Sequence, residues 1–264
     1  MQIAGIQKFT MLDYPGMIAA TVFTRGCSFR CPFCHNPELV QPDHFNPLYS
    51  DEEIFEFFEK RKKQIQGVCI TGGEPTLQAD IIEFIKKLKD LGYKVKLDSN
   101  GWSPEILEKI IKEGIVNYIA MDIKASPDKY RLASGCHSGL DPESRNNAVI
   151  STHSEPTAGW TEEGEKSQHE GEDVMLENIK KSIKLIMKSG IDYEFRTTVV
   201  HPIHEIADFE EIGKLIKGAK RYFIQNFVPS KHNDETIPFK PFTDKELNES
   251  KQIMGKYIKE VEAR

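Results

Sequence analysis

Six short runs rich in Val, Ile, Phe and Tyr alternate along this chain with six stretches of helical period, and no other feature restricts its fold as much. The runs lie at 18–23, 68–71, 93–100, 116–124, 191–200 and 221–228, and the helical patterns at 51–64, 79–92, 104–112, 174–189, 205–217 and 243–261. Strands separated by helices need crossover connections, so they run parallel in one α/β sheet. Ser50 followed by Glu53 marks a capping box at the first helix, and Gly92 fits the end of the second. A chain of 264 residues holds one large core or two small ones. We read 1–264 as a single domain.

One stretch breaks the alternation. Residues 135–173 are rich in Gly, Ser, Glu and His, and hold nine acidic residues against two basic ones. A connection of that length without period reads as a disordered acidic insertion within the domain. His137, His153, His169 and Cys136 fall inside it at spacings that match no common metal-ligand pattern. The formal charge of -6 therefore belongs to this segment, and the nearly neutral remainder offers no basic footprint for nucleic acid. No apolar run approaches the roughly 20 residues that span a bilayer, and the N-terminus lacks a signal-peptide pattern. The expected location is the cytoplasm.

Three of the five cysteines crowd into the loop after the first run: Cys27, Cys31 and Cys34, spaced C-x3-C-x2-C. In a reducing compartment such crowding points to a metal site before it points to disulfides. Three thiolates can hold three corners of a cubane iron–sulfur cluster and leave one iron open. Structural zinc with His35 as fourth ligand is the alternative, although adjacent residues such as Cys34 and His35 rarely point at one metal.

With Phe33 before the last cysteine, and TGGEP at 71–75 after the second strand, the triad resembles the radical S-adenosylmethionine superfamily. The chain is further similar to its glycyl-radical-enzyme activating branch, and within it to activating proteins of the anaerobic ribonucleoside-triphosphate reductase. That closer likeness rests on GIQKFTMLDYPG at 5–16, CHNPELV at 34–40, DSNG at 98–101, MDIKA at 121–125 and YEFRTTVV at 193–200. The resemblance implies an open, partial (β/α)6 barrel. It implies a 4Fe-4S cluster on Cys27, Cys31 and Cys34, with S-adenosyl-L-methionine on the open iron. Reductive cleavage would give a 5'-deoxyadenosyl radical that abstracts a glycine hydrogen in the partner reductase. The electron would come from a low-potential donor such as flavodoxin or ferredoxin.

The resemblance also implies site residues. Gly72 and Gly73 would let the backbone approach the methionine moiety, and Glu74 would accept from its ammonium. Asp98, Ser99 and Asn100 sit where barrel sites are built and can bond the ribose hydroxyls or the carboxylate; a helix cap is the alternative role for Asp98 and Asn100. Asp122 and Lys124 share a strand face by period two and should line a polar cavity. Arg196 can hold a carboxylate through its planar fork, and Phe33 can pack on adenine or simply anchor the loop. His201 and His204 read as structural, and Cys69 as a small buried hydrophobe. Competing readings are activation of a formate-lyase type enzyme, small-molecule chemistry of the deazapurine synthase type, and a non-enzymatic iron–sulfur or zinc module.

Overall fold

The six expected runs form six parallel strands of one sheet: β2 (Ala19–Thr24), β3 (Gly67–Gly72), β4 (Lys94–Ser99), β5 (Tyr118–Asp122), β6 (Asp192–Val199) and β7 (Arg221–Asn226). The computed structural model describes residues 1–41, 47–135, 162–229 and 237–264. Two further strands were not foreseen. β1 (Ile3–Thr10) pairs antiparallel with β2, and β8 (Glu260–Ala263) pairs parallel with β7. Strand order follows the chain from β1 to β8, and these two strands are the edges of an open eight-stranded sheet.

The helices follow the expected positions, with shorter bounds for α1 (Asp51–Arg61), α2 (Ile81–Asp90) and α6 (Asp208–Leu215) and one residue more for α3 (Pro104–Glu113), and with a short extra helix α4 (Tyr130–Ser134). Ser50 and Glu53 close the capping box on α1 through reciprocal bonds of 3.2 and 2.8 Å. Gly92, at φ 91°, ends α2 with Gly92 N–H bonded to Lys89 O and Tyr93 N–H to Leu88 O, a Schellman pair. The final helix is a correction. α7 (Asp244–Met254) stops well before 261, and the chain after it enters β8 instead. Helix α5 (Glu162–Lys188) begins earlier than the expected 174, so it includes the C-terminal part of the acidic stretch. Residues 136–161, with Cys136, His137 and His153, lie outside the described residues.

Strand parity divides the sheet's two faces by chemistry. Val22, Val68, Ile70, Val95, Leu97, Ile119, Met121, Phe195 and Ile224 pack with Phe84, Ile85 and Leu88 of α2, Leu107 and Ile110 of α3, and Ile179 and Ile183 of α5 into one core. Burying each such side chain stabilises the fold by about 1.5–3 kcal/mol. Residues of the opposite parity include Cys69, Lys96, Asp98, Asp122, Glu194 and Arg196. A parallel sheet usually hides both faces behind apolar helices. Here the second face carries charge instead, and that is where the site lies.

Candidate active site

The cysteine loop leaves β2 at Thr24 and is tied down by backbone bonds from three directions. Arg25 N–H donates to Gln2 O at 3.0 Å, Gly26 N–H to Leu39 O at 2.7 Å, and Arg30 N–H to Ser134 O at 2.8 Å. All three cysteines are half-buried on this loop and none is in a disulfide. Burial pushes the Cys27 thiol up to about 12 and Cys31 to about 11, and raises Cys34 too, while the Lys124 ammonium pulls each of them down. Two of the thiols also raise a neighbour: Cys31 acts on Cys27, and Cys34 on Cys31. Soft donors held near one another in a poorly solvated place suit a thiophilic metal group, whose charge replaces the protons. His35 stacks on Phe227 with ring centroids 5.9 Å apart. Among the described residues no three His, Cys, Asp or Glu side chains have the arrangement of a single-ion site. Three thiolates on one short loop suit three corners of an iron–sulfur cubane, and the His35 ring is engaged on Phe227.

Gly72 and Gly73 lie in close contact with the strand and loop before them. A Cβ on Gly73 would stand 1.9 Å from Gly26 O, and one on Gly72, at φ 109°, 2.5 Å from Thr24 N. Gly73 N–H donates to Thr24 O at 2.8 Å and Glu74 N–H to Gly26 O at 2.7 Å. These glycines let β3 press directly on the base of the cysteine loop. Replacing Gly73 by alanine should drive that loop away, lowering the thermal midpoint and cutting iron uptake several-fold in anaerobic reconstitution, both relative to wild type.

Glu74 is fully buried, and its carboxylate is occupied within the protein. Oε1 accepts from Thr76 N–H at 3.0 Å, Thr76 Oγ1 at 2.6 Å and Ser99 Oγ at 2.9 Å, while Oε2 accepts from Asn100 N–H at 2.7 Å. Burial raises its pKa against the pull of those four donors. It joins the turn after β3 to the end of β4 as a strut. Ser99 is spent on that strut and on Gly101 N–H at 3.0 Å. Asn100 points at the cysteine loop, donating to Ser28 Oγ at 3.0 Å and Cys27 Sγ at 3.6 Å.

Asp98, Asp122, Lys124 and Arg196 do meet, in a chain of alternating charge across β4, β5 and β6. Arg196 Nη2 donates to Asp98 at 2.9 Å and Nε to Asp122 at 2.5 Å, and Lys124 donates to Asp122 at 2.8 Å. Lys96, only 2% exposed, completes the chain by pairing with the other oxygen of Asp98. Burial opposes both carboxylate charges, yet Arg196 with Lys96 holds Asp98 below the usual range, and Arg196 with Lys124 holds Asp122 well below it. Three cations against two anions leave the line with one excess positive charge, whose Lys124 end faces the thiols. Lys96 was missed from the sequence. The period-two argument applied to Asp122 and Lys124 holds equally for Lys96 and Asp98.

Phe33 is 4% exposed and packs edge-on to His204 and Phe239 at 5.7 and 6.5 Å, so it anchors the cysteine loop. Val200 N–H bonds His204 Nδ1 at 3.2 Å, so the proton sits on Nε2, which donates to Lys124 O at 2.8 Å. Burial lowers the His204 pKa and keeps the ring neutral. His204 thus holds the backbone of Lys124, a role its sequence position does not disclose.

Residues 21–216 match the family profile described as the Radical SAM superfamily. A relative from Methanocaldococcus jannaschii, provisionally named a glycyl-radical enzyme activating enzyme, is 32% identical over 98% of this chain and 94% of its own length. The pyruvate formate-lyase-activating enzyme of Clostridium pasteurianum is 30% identical over 51% of this chain and 57% of its own. The crystal structure of Streptococcus suis SuiB bound to S-adenosylmethionine superposes with a TM-score of 0.56 at 15% identity, over 90% of this chain and 48% of SuiB, a likeness of fold. Profile, full-length relative and fold agree with the loop of three thiols beneath a charged sheet face: this chain belongs to the Radical SAM superfamily.

Proposed function

We propose that this protein is an iron–sulfur activase that installs a glycyl radical on an anaerobic ribonucleoside-triphosphate reductase. Radical SAM proteins bind a 4Fe-4S cluster and S-adenosylmethionine. The observation that supports the activating branch most is the relative named for glycyl-radical enzyme activation, matched end to end. No helix among the described residues is long and apolar enough to cross a membrane.

Cys27, Cys31 and Cys34 would hold the cluster, and the face formed by Asp98, Asp122, Lys124 and Arg196 would receive the polar groups of the cofactor. When bound, that pair supplies a one-electron cleavage of a sulfonium, which no side chain here can perform. The chain's own residues do three things. Lys124 brings a positive charge beside the thiols and favours their ionised form. Arg196, fixed between two carboxylates, offers its remaining donors in a set orientation. Glu74 fixes the turn after β3 against the end of β4, so loop and charged face keep one spacing.

The experiment mixes the reconstituted protein with the cognate reductase, S-adenosylmethionine and a low-potential donor of the flavodoxin or ferredoxin type under strict anaerobiosis. A doublet glycyl signal by electron paramagnetic resonance is expected. A signal on a formate-lyase type enzyme and none on the reductase would reassign the partner. Robust cofactor cleavage without any protein radical, accelerated by a small molecule, would overturn the activase reading.

A further inference from the structure

We propose that Asn100 sets the reduction potential of the cluster by hydrogen bonding its Cys27 ligand, an inference that rests on the cluster reading above. Asn100 is 5% exposed, and its backbone N–H and both polar side-chain atoms are engaged. Its backbone N–H donates to Glu74 Oε2 at 2.7 Å, and its side-chain oxygen accepts from Trp102 N–H at 2.9 Å. A backbone N–H can only donate, so the atom facing Trp102 is Oδ1 and the atom facing the loop is Nδ2. That nitrogen directs one proton to Ser28 Oγ at 3.0 Å and the other to Cys27 Sγ at 3.6 Å. The same sulfur accepts from Phe29 N–H at 3.4 Å.

Hydrogen bonds to cluster sulfur stabilise the more negative, reduced state and raise its potential. The Phe29 donor is backbone and belongs to the cysteine loop. Asn100 comes from the end of β4, fixed by Glu74 and Trp102, so its donor is held independently of the loop. It is also removable by a single substitution. A donor so placed couples the strand that carries Asp98 to the ease with which the cluster takes an electron.

The test is a potentiometric titration of the reconstituted cluster, followed by its reduced-state resonance signal, in the wild type, Asn100→Leu, Asn100→Asp and Ser28→Ala. Asn100→Leu should lower the one-electron equilibrium constant about tenfold, which is about 59 mV. Asn100→Asp, which exchanges a donor for an acceptor, should lower it at least as far. Ser28→Ala removes the sister bond of the same amide and should leave the potential in place. As a second readout, the reduced wild-type cluster should show an electron–nuclear coupling to nitrogen-15 introduced at asparagine side chains, a result that depends on no variant folding. A full complement of iron and sulfide with an unmoved potential in Asn100→Leu, an equal shift in Ser28→Ala, or no nitrogen-15 coupling would overturn the assignment. Failure of the wild type to take up iron and sulfide would instead sink the cluster reading.

Discussion

Serine at any one of Cys27, Cys31 or Cys34 should abolish the broad visible absorbance of the reconstituted protein, while Cys69→Ser leaves it. The asymmetry comes from position. The three loop thiols sit together on a segment tied to β3, and Cys69 lies fully buried on the sheet, 3.6 Å from Asp98. Each loop cysteine would hold one iron, and a hydroxyl is too hard and too weakly acidic to replace a thiolate there. Iron and acid-labile sulfide content decide the matter. Stoichiometric zinc without sulfide, after anaerobic purification, would show that the loop binds another metal.

Arg196→Met should cost about 3 kcal/mol in urea unfolding at neutral pH, because it removes the central cation between buried Asp98 and half-buried Asp122. Lys96 and Lys124 each retain one carboxylate, which keeps the loss at the lower end for a broken buried pair. The pH dependence follows from the direction of the carboxylate shifts. Asp98 and Asp122 have folded pKa values below their unfolded ones. Their contribution is therefore fully present above about pH 4 and is lost as pH falls through the folded values. The gap between wild type and variant should be widest near neutrality and narrow on acidification. A gap that stays constant down to pH 3 would mean that packing of the arginine stem, not charge, carries the effect. Binding of S-adenosylmethionine by calorimetry should weaken in the same variant.

The six central strands were legible because β-branched and aromatic runs between helical periods have one low-energy arrangement. β1 and β8 were not. IAGIQKFT carries Gly5 and polar positions, EVEA is four mostly exposed residues, and both gain their order from an edge pairing that periodicity does not encode. Within the site, Asp122 and Lys124 could be placed on one face by parity alone. Lys96 escaped notice because Lys94 shares its parity and is exposed, so the pair reads as a solvated face. Depth along the strand, not parity, separates the two lysines. Glu74 and Phe33 show a different limit. Their intrachain partners Ser99, Asn100, His204 and Phe239 reach them from distant segments, which neither residue type nor spacing encodes.

The division of each strand into an apolar and a charged parity has an evolutionary consequence. Neighbouring residues answer to separate selection pressures: Leu97 and Ile119 to stability against the helices, Lys96 and Asp98 to chemistry on the other side. A substitution on one face does not remove the side chains packed on the other, although an ion left unpaired on the charged face costs stability as well. Such a scaffold can exchange its reactive surface many times over without passing through an unfolded ancestor, and a shared fold with SuiB at 15% identity is the kind of divergence this permits.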